Sequence, residues 1–130
     1  MNIAIACTAL LGLLLFGLGL HVSLLRGRMK RSIGCDTSPT DPFHRAIRAH
    51  GNTTEYAPFF ALMFLWFAVH PASIYVNALI VIATVARFLL VGGLLLGPSL
   101  DRPNAMRFSG ALFTYVSGIA LAVTLLMRAW

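Results

Sequence analysis

An all-α bundle of membrane-spanning helices is the fold this sequence predicts, and three observations predict it. The mean hydropathy is +0.83, and 11% of the 130 residues are charged, where a soluble domain carries about 25%. Apolar runs recur along the chain, and a helix crosses a bilayer with about 20 apolar residues. The basic residues collect between those runs. That placement sets aside nucleic acid as a partner, although the formal net charge is +6. Lipid must cover much of such an apolar surface. A single domain over residues 1–130 is expected, with helices at about 3–25, 43–69, 72–96 and 105–127.

The first run, Ile3 to Leu25, is broken only by Thr8, His21, Ser23 and several glycines. It lacks the basic start and the small-residue cleavage site of a signal peptide. Arg26, Arg28, Lys30 and Arg31 follow at once, which predicts a cytoplasmic first loop and an outside N-terminus. Ser32 to Pro42 is polar and reads as loop. Within it, Asp41-Pro42 is a helix start, with Asp as N-cap and Pro in the first turn.

Phe43 to Val69 reads as one long helix with a polar first half and a lipid-compatible second half, ended by His70-Pro71. Ala72 to Leu96 is the third span, carrying Asn77 and Arg87. Gly97 to Asn104 is a turn-rich loop. The fourth span runs to Met127, with Arg128 and Trp130 at an interface. Eight of the ten basic residues then fall in or near the two inner loops. The multi-pass topology predicted is N- and C-termini outside, with both charged loops cytoplasmic.

The second helix carries the chemistry. Residues three and four apart share a helix face, so Arg45, Arg48, Asn52 and Glu55 form one polar stripe. Lipid penalises each of these groups, which turns the stripe toward other helices or another subunit. Glu55 lies roughly 18 Å into its helix and Arg87 roughly 15 Å into the next, at 1.5 Å per residue. A Glu55–Arg87 ion pair is therefore expected. Arginines, an amide and a carboxylate together suit a small zwitterion bearing carboxylates, such as an amino acid or short peptide. Cys7, in an apolar run, and Cys35, in a loop, read as reduced structural thiols. His44 and His50 lie six apart on a helix and face different ways, so no metal site is expected. Gly92-Gly93 reads as a point of close helix approach.

The segment Arg48-Ala-His-Gly-Asn52-Thr-Thr-Glu55-Tyr56-Ala-Pro58-Phe59 resembles the signature of the membrane-associated proteins in eicosanoid and glutathione metabolism, the MAPEG family, in a bacterial-type member. The resemblance implies a homotrimer of four-helix bundles binding glutathione between subunits near the cytoplasmic face. By position it implies Arg48, Asn52, Glu55 and Tyr56 as glutathione ligands, joined by Arg87 and by Arg26 or Arg28. It also implies that Arg107 sits near the glutathione sulfur, where a guanidinium favours the thiolate. The reaction implied is attack of that thiolate on an apolar electrophile from the bilayer, or reduction of a hydroperoxide. The chain departs from the family's pattern at Leu90 and Leu94, where several family enzymes carry aromatic or polar residues. The loop before Arg107 is also longer. Two other readings stand beside this one: a non-catalytic binder of a small acidic ligand, and a four-helix transporter using Glu55.

Overall fold

One polar residue starts each helix. The computed structural model describes residues 2–31 and 33–129, and runs α1 (Ile3–Met29), α2 (Pro42–Val69), α3 (Ile74–Leu96) and α4 (Ala105–Met127). Asn2, Asp41, Ser73 and Asn104 hold extended backbone, and their side chains accept the first free N–H groups of α1, α2, α3 and α4. α1 continues past Leu25 through the basic cluster, which contains no proline. It stops at Lys30, whose left-handed φ of 52° lets its N–H reach the Arg26 and Gly27 carbonyls. Ser32 and Trp130, expected in the first loop and at an interface, lie outside the described residues.

α3 is the central helix. It packs most extensively on α4, then on α2 and α1, while α1 and α2 form the second tight pair. α2 runs antiparallel to α1 along its full length. At one end the Arg26 guanidinium carbon lies 5.5 Å over the Phe43 ring. At the other, Asn2 Nδ2 donates to the Ala68 carbonyl at 3.1 Å. α1, α3 and α4 are each long and apolar enough to cross a membrane. α2 is not among them by composition, because its first half is polar. It nevertheless runs the length of α1, with Thr53 buried against α3 while Arg48 and Glu55 stay exposed. Leu13, Phe16 and Ile119 are more than half exposed on the outside, the surface an integral membrane protein offers to lipid.

In lipid, helices associate through close packing more than through water exclusion, and the α3–α4 seam shows how. The buried positions of α4 are Gly110, Thr114, Ser117 and Leu121, at helical spacing, and the first three are small. A Cβ on Gly110 would stand 2.5 Å from the Leu90 backbone nitrogen, so only glycine permits this approach. Gly93 works the same way against Arg107, whose backbone nitrogen would lie 2.7 Å from an added Cβ. The Gly92-Gly93 expectation is thus met chiefly by Gly93, since Gly92 faces only the flexible Met106 tip. Gly110→Ala should therefore lower stability by about 1–3 kcal/mol through overpacking, against the usual gain of about 1 kcal/mol for replacing a helical glycine. Gly12→Ala is the control, since its Cβ meets nothing within 4 Å. Thermal unfolding in detergent should show a fall for the first and none for the second.

Candidate functional site

α2 packs on α3 but only lightly on α4. The space left between α2 and α4 is a cleft with α3 as its back wall. At the loop end it opens into a groove of about 760 Å³. Arg48 and Asn52 reach it from α2, Leu90 and Leu94 from α3, Arg107 and Phe108 from α4, and the loop Leu100–Asn104 forms its rim. Further along the cleft lies an apolar groove of about 300 Å³, lined by Glu55, Tyr56, Phe59, Tyr115 and Ile119 among others. A polar compartment therefore adjoins an apolar one along a single face of α2.

Arg107 owes its place to the Gly93 contact and to its own helix start. Asn104 accepts the Arg107 and Met106 N–H groups, and its amide nitrogen donates to the Gly93 carbonyl at 3.2 Å. The Arg107 guanidinium gives one N–H to the Leu100 carbonyl at 2.8 Å, which ties it to the rim. The Leu100 N–H in turn donates to the Pro39 carbonyl of the first loop at 2.9 Å. The rim is thus held to both α4 and the loop before α2.

The polar stripe splits when the chain folds. Arg45 turns away from the groove and donates to the Leu94 carbonyl at 3.1 Å and to the Leu95 carbonyl. The last carbonyls of a helix lack intrahelical partners, and a cation there also suits the helix dipole. Arg48 remains exposed at the groove.

The expected Glu55–Arg87 ion pair does not form. Arg87 is fully buried, and one terminal nitrogen donates to Asn52 Oδ1 at 2.9 Å, the Asn52 carbonyl at 3.1 Å and Thr53 Oγ1 at 3.4 Å. Asn52 stands between the two charges, its Nδ2 at 3.5 Å from Glu55 Oε2. Glu55 itself is exposed. The Arg87 guanidinium also lies 5.2 Å over the Tyr56 ring, a cation–π contact. Tyr56 and Tyr115 have ring centroids 6.0 Å apart. Arg87 is therefore a buried strut beneath Asn52 and Tyr56 and does not line the groove.

Arg26 and Arg28 are not brought to the same place. Arg26 lines a separate cavity of about 570 Å³ with His50, Thr54 and Phe16, between α1 and α2. Residues 50 and 54 lie roughly opposite residues 48 and 52 at 100° per residue, so this cavity is on the other flank of α2. Arg28 is exposed near the end of α1. Among the described residues no three His, Cys, Asp or Glu side chains gather as metal ligands, and Cys7 and Cys35 are free thiols.

Sequence reasoning missed Thr53, Leu100, Asp101 and Asn104. Thr53 lies one residue off the stripe, yet the spacing from Thr53 to Ala57 and Phe60 marks the face that packs on α3. Asn104 before Ala105 carried a legible N-cap signal. Asp101 on the groove rim accepts from the Ser99 hydroxyl, which holds its carboxyl below the ordinary carboxylate range.

Three guanidinium groups, those of Arg48, Arg102 and Arg107, and the Asn52 amide line one groove and can fix a ligand that carries carboxylates, with an apolar moiety laid along the adjoining cleft. A model of the MAPEG family matches residues 4–127. No curated protein and no solved structure matches the chain.

Proposed function

The chain belongs to the MAPEG family, the membrane proteins of glutathione and eicosanoid metabolism, and on that premise we propose that it is a glutathione-dependent transferase or peroxidase acting on apolar electrophiles. The observation that carries the reading is the meeting of Arg48, Asn52 and Arg107 on one groove of about 760 Å³ beside an apolar cleft. Glutathione has two carboxylates, an ammonium and a thiol. Arg48 takes a carboxylate, Asn52 contributes donor and acceptor, and Glu55 attracts the ammonium. Tyr56 borders the apolar side, and Arg87 holds Asn52 and Tyr56 in place.

Arg107 acts on the sulfur. Its guanidinium keeps N–H groups beyond the one spent on Leu100, and a fixed cation there stabilises the thiolate over the thiol. The thiolate then attacks an electrophile lodged in the apolar cleft, forming a thioether, or attacks a hydroperoxide oxygen and leaves an alcohol. The homotrimer completes the site in this reading. Arg26 lies on the opposite flank of α2 and Arg28 is exposed near the end of α1, outside the groove, so in this reading they reach glutathione from a neighbouring copy. The excess of basic residues in the two charged loops supports a cytoplasmic side for them, and with them for the groove.

Leu90 and Leu94 favour a second reading, a binder without turnover. They give the groove an apolar back wall, so α3 offers no polar contact there. Calorimetry with glutathione on the detergent-purified protein tests the common part of both readings. Arg48→Ala and Asn52→Ala should each weaken binding roughly 10- to 100-fold, as for lost hydrogen bonds to charged groups. A folded wild type that takes up no glutathione would overturn both. Conjugation to a generic aromatic halide separates them.

The rim supplies a further expectation. Asp101 is ionised at neutral pH and faces the same groove as the incoming carboxylates. Asp101→Asn should tighten glutathione binding about two- to fivefold at low ionic strength, the scale of an exposed charge pair. The gain should fade as salt is added, which a calorimetric titration at two ionic strengths would show.

A further inference from the structure

The end of the bundle opposite the groove carries a cation with no anion to meet. α2 and α4 both stop there, next to the Asn2 cap of α1. Arg128 closes α4, and its guanidinium carbon lies 5.8 Å over the Trp66 ring and 5.9 Å over the Phe67 ring of α2. His70 stacks on the same Trp66, with ring centroids 4.0 Å apart and planes 12° from parallel. Its Nδ1 is bonded to the Trp66 carbonyl at 2.8 Å. Trp66 is thus braced by the imidazole, and Phe67 is buried, so the guanidinium rests on a fixed aromatic floor. Arg128 itself is exposed, and its side-chain N–H groups meet no acceptor among the described residues. The four acidic residues of the chain all lie elsewhere. Asp36, Asp41 and Asp101 are in the loops at the groove end, and Glu55 is midway along α2.

We propose that Arg128, seated on Trp66 and Phe67, binds the phosphodiester of an anionic membrane phospholipid. Depth is the first reason. α4 has 23 residues and is therefore roughly 34 Å long at 1.5 Å per residue, against about 30 Å for the hydrocarbon core. A guanidinium at its last residue stands at the level of the lipid phosphates, where Trp also collects. Geometry is the second. A guanidinium lying over aromatic rings keeps its edge free, and that edge matches two oxygens of one phosphate. The stacking also fixes a long side chain before the ligand arrives, which lessens the ordering cost of binding. Charge is the third. No described carboxylate at this end could meet a headgroup ammonium, so a headgroup that is net anionic fits better than a zwitterionic one. Val69, Leu126 and Met127 are exposed around the arginine and offer apolar surface to the acyl chains. The site is independent of what the groove binds.

The test titrates the delipidated full chain in neutral detergent with phosphatidylglycerol or phosphatidylcholine, read by native mass spectrometry beside the melting temperature. The wild type should hold phosphatidylglycerol about fivefold more tightly than phosphatidylcholine, the scale of one basic side chain on an anionic headgroup. Arg128→Gln should remove that preference. Arg128→Lys keeps the charge without the planar fork and should retain part of it. Trp66→Leu should weaken phosphatidylglycerol binding although no charge is lost, because the guanidinium has lost its floor. Arg31→Gln removes an exposed arginine at the other end of the bundle and should change nothing. Unaltered melting of the lipid-free Arg128 variants reports an intact fold, as expected for an exposed residue. Equal losses in Arg31→Gln and Arg128→Gln would reduce the effect to overall charge and overturn the proposal. So would equal affinity for the two lipids, an undiminished preference in Arg128→Gln, or uptake of glycerol 1-phosphate as tight as that of the lipid, which would give the site to a soluble phosphate.

Discussion

Replacing Arg107 by leucine should lower the rate of glutathione conjugation about 10²-fold, while glutathione still binds. Differential stabilisation is the reason. The carboxylates and ammonium of glutathione are charged before and after the reaction, so in the proposed function Arg48, Asn52 and Glu55 would contribute to binding at every stage. The sulfur alone changes its charge, and a fixed donor aimed at a changing charge accelerates a reaction by about 10²–10³-fold. Arg107 comes from α4, across the groove from Arg48 and Asn52, as such a division of labour requires. The measurement is kcat and the glutathione KM for wild type, Arg107→Leu and Arg107→Lys. A fall in kcat at steady KM, partly restored by lysine, supports the role. An unchanged kcat in a wild type that does turn over would remove Arg107 from the chemistry. A parallel loss of melting temperature would assign it to the Leu100 rim instead.

The second large effect concerns Arg87. Arg87→Ala removes a fully buried side chain together with its bonds to Asn52 and Thr53. Lost hydrogen bonds to a charged group cost about 1.5–3 kcal/mol, and the cavity adds to that, since large-to-alanine core changes cost about 2–5 kcal/mol. A total of about 4 kcal/mol is expected. Arg87→Met should cost much less. Two guanidinium nitrogens, Nε and Nη1, are buried without a hydrogen-bond partner, and methionine removes that burden while filling most of the volume. Replacing a buried charge by a well-packed apolar side chain is often near neutral. The methionine variant then separates folding from positioning. It should melt near the wild type yet bind glutathione about tenfold more weakly, because Asn52 has lost its anchor and Tyr56 its cation. Equal glutathione affinity in wild type and Arg87→Met would show that Asn52 needs no strut.

The sequence by itself determined the four helices, the membrane as their solvent and the family. Those features are local or nearly so. Apolar run lengths, Asp41 and its following proline, and Arg48, Asn52, Glu55 and Tyr56 at fixed spacing can all be read without knowing which helix meets which. The tertiary structure decided what each polar group of α2 faces. Arg45 and Arg48 lie on one stripe three residues apart, yet one closes the end of α3 and the other opens to the groove. Glu55 and Arg87 match in depth along their helices, but depth fixes one coordinate only. The rotation of α2 against α3 places Asn52 between them, so the ion pair gives way to a strut. Arg107 could not be placed from the loop length before it. Gly93 and Gly110 let α3 and α4 meet at backbone contact, and that close approach draws the arginine into the groove. Periodicity reports which face of a helix is polar, whereas the partner of that face depends on interhelical packing between residues far apart in the chain.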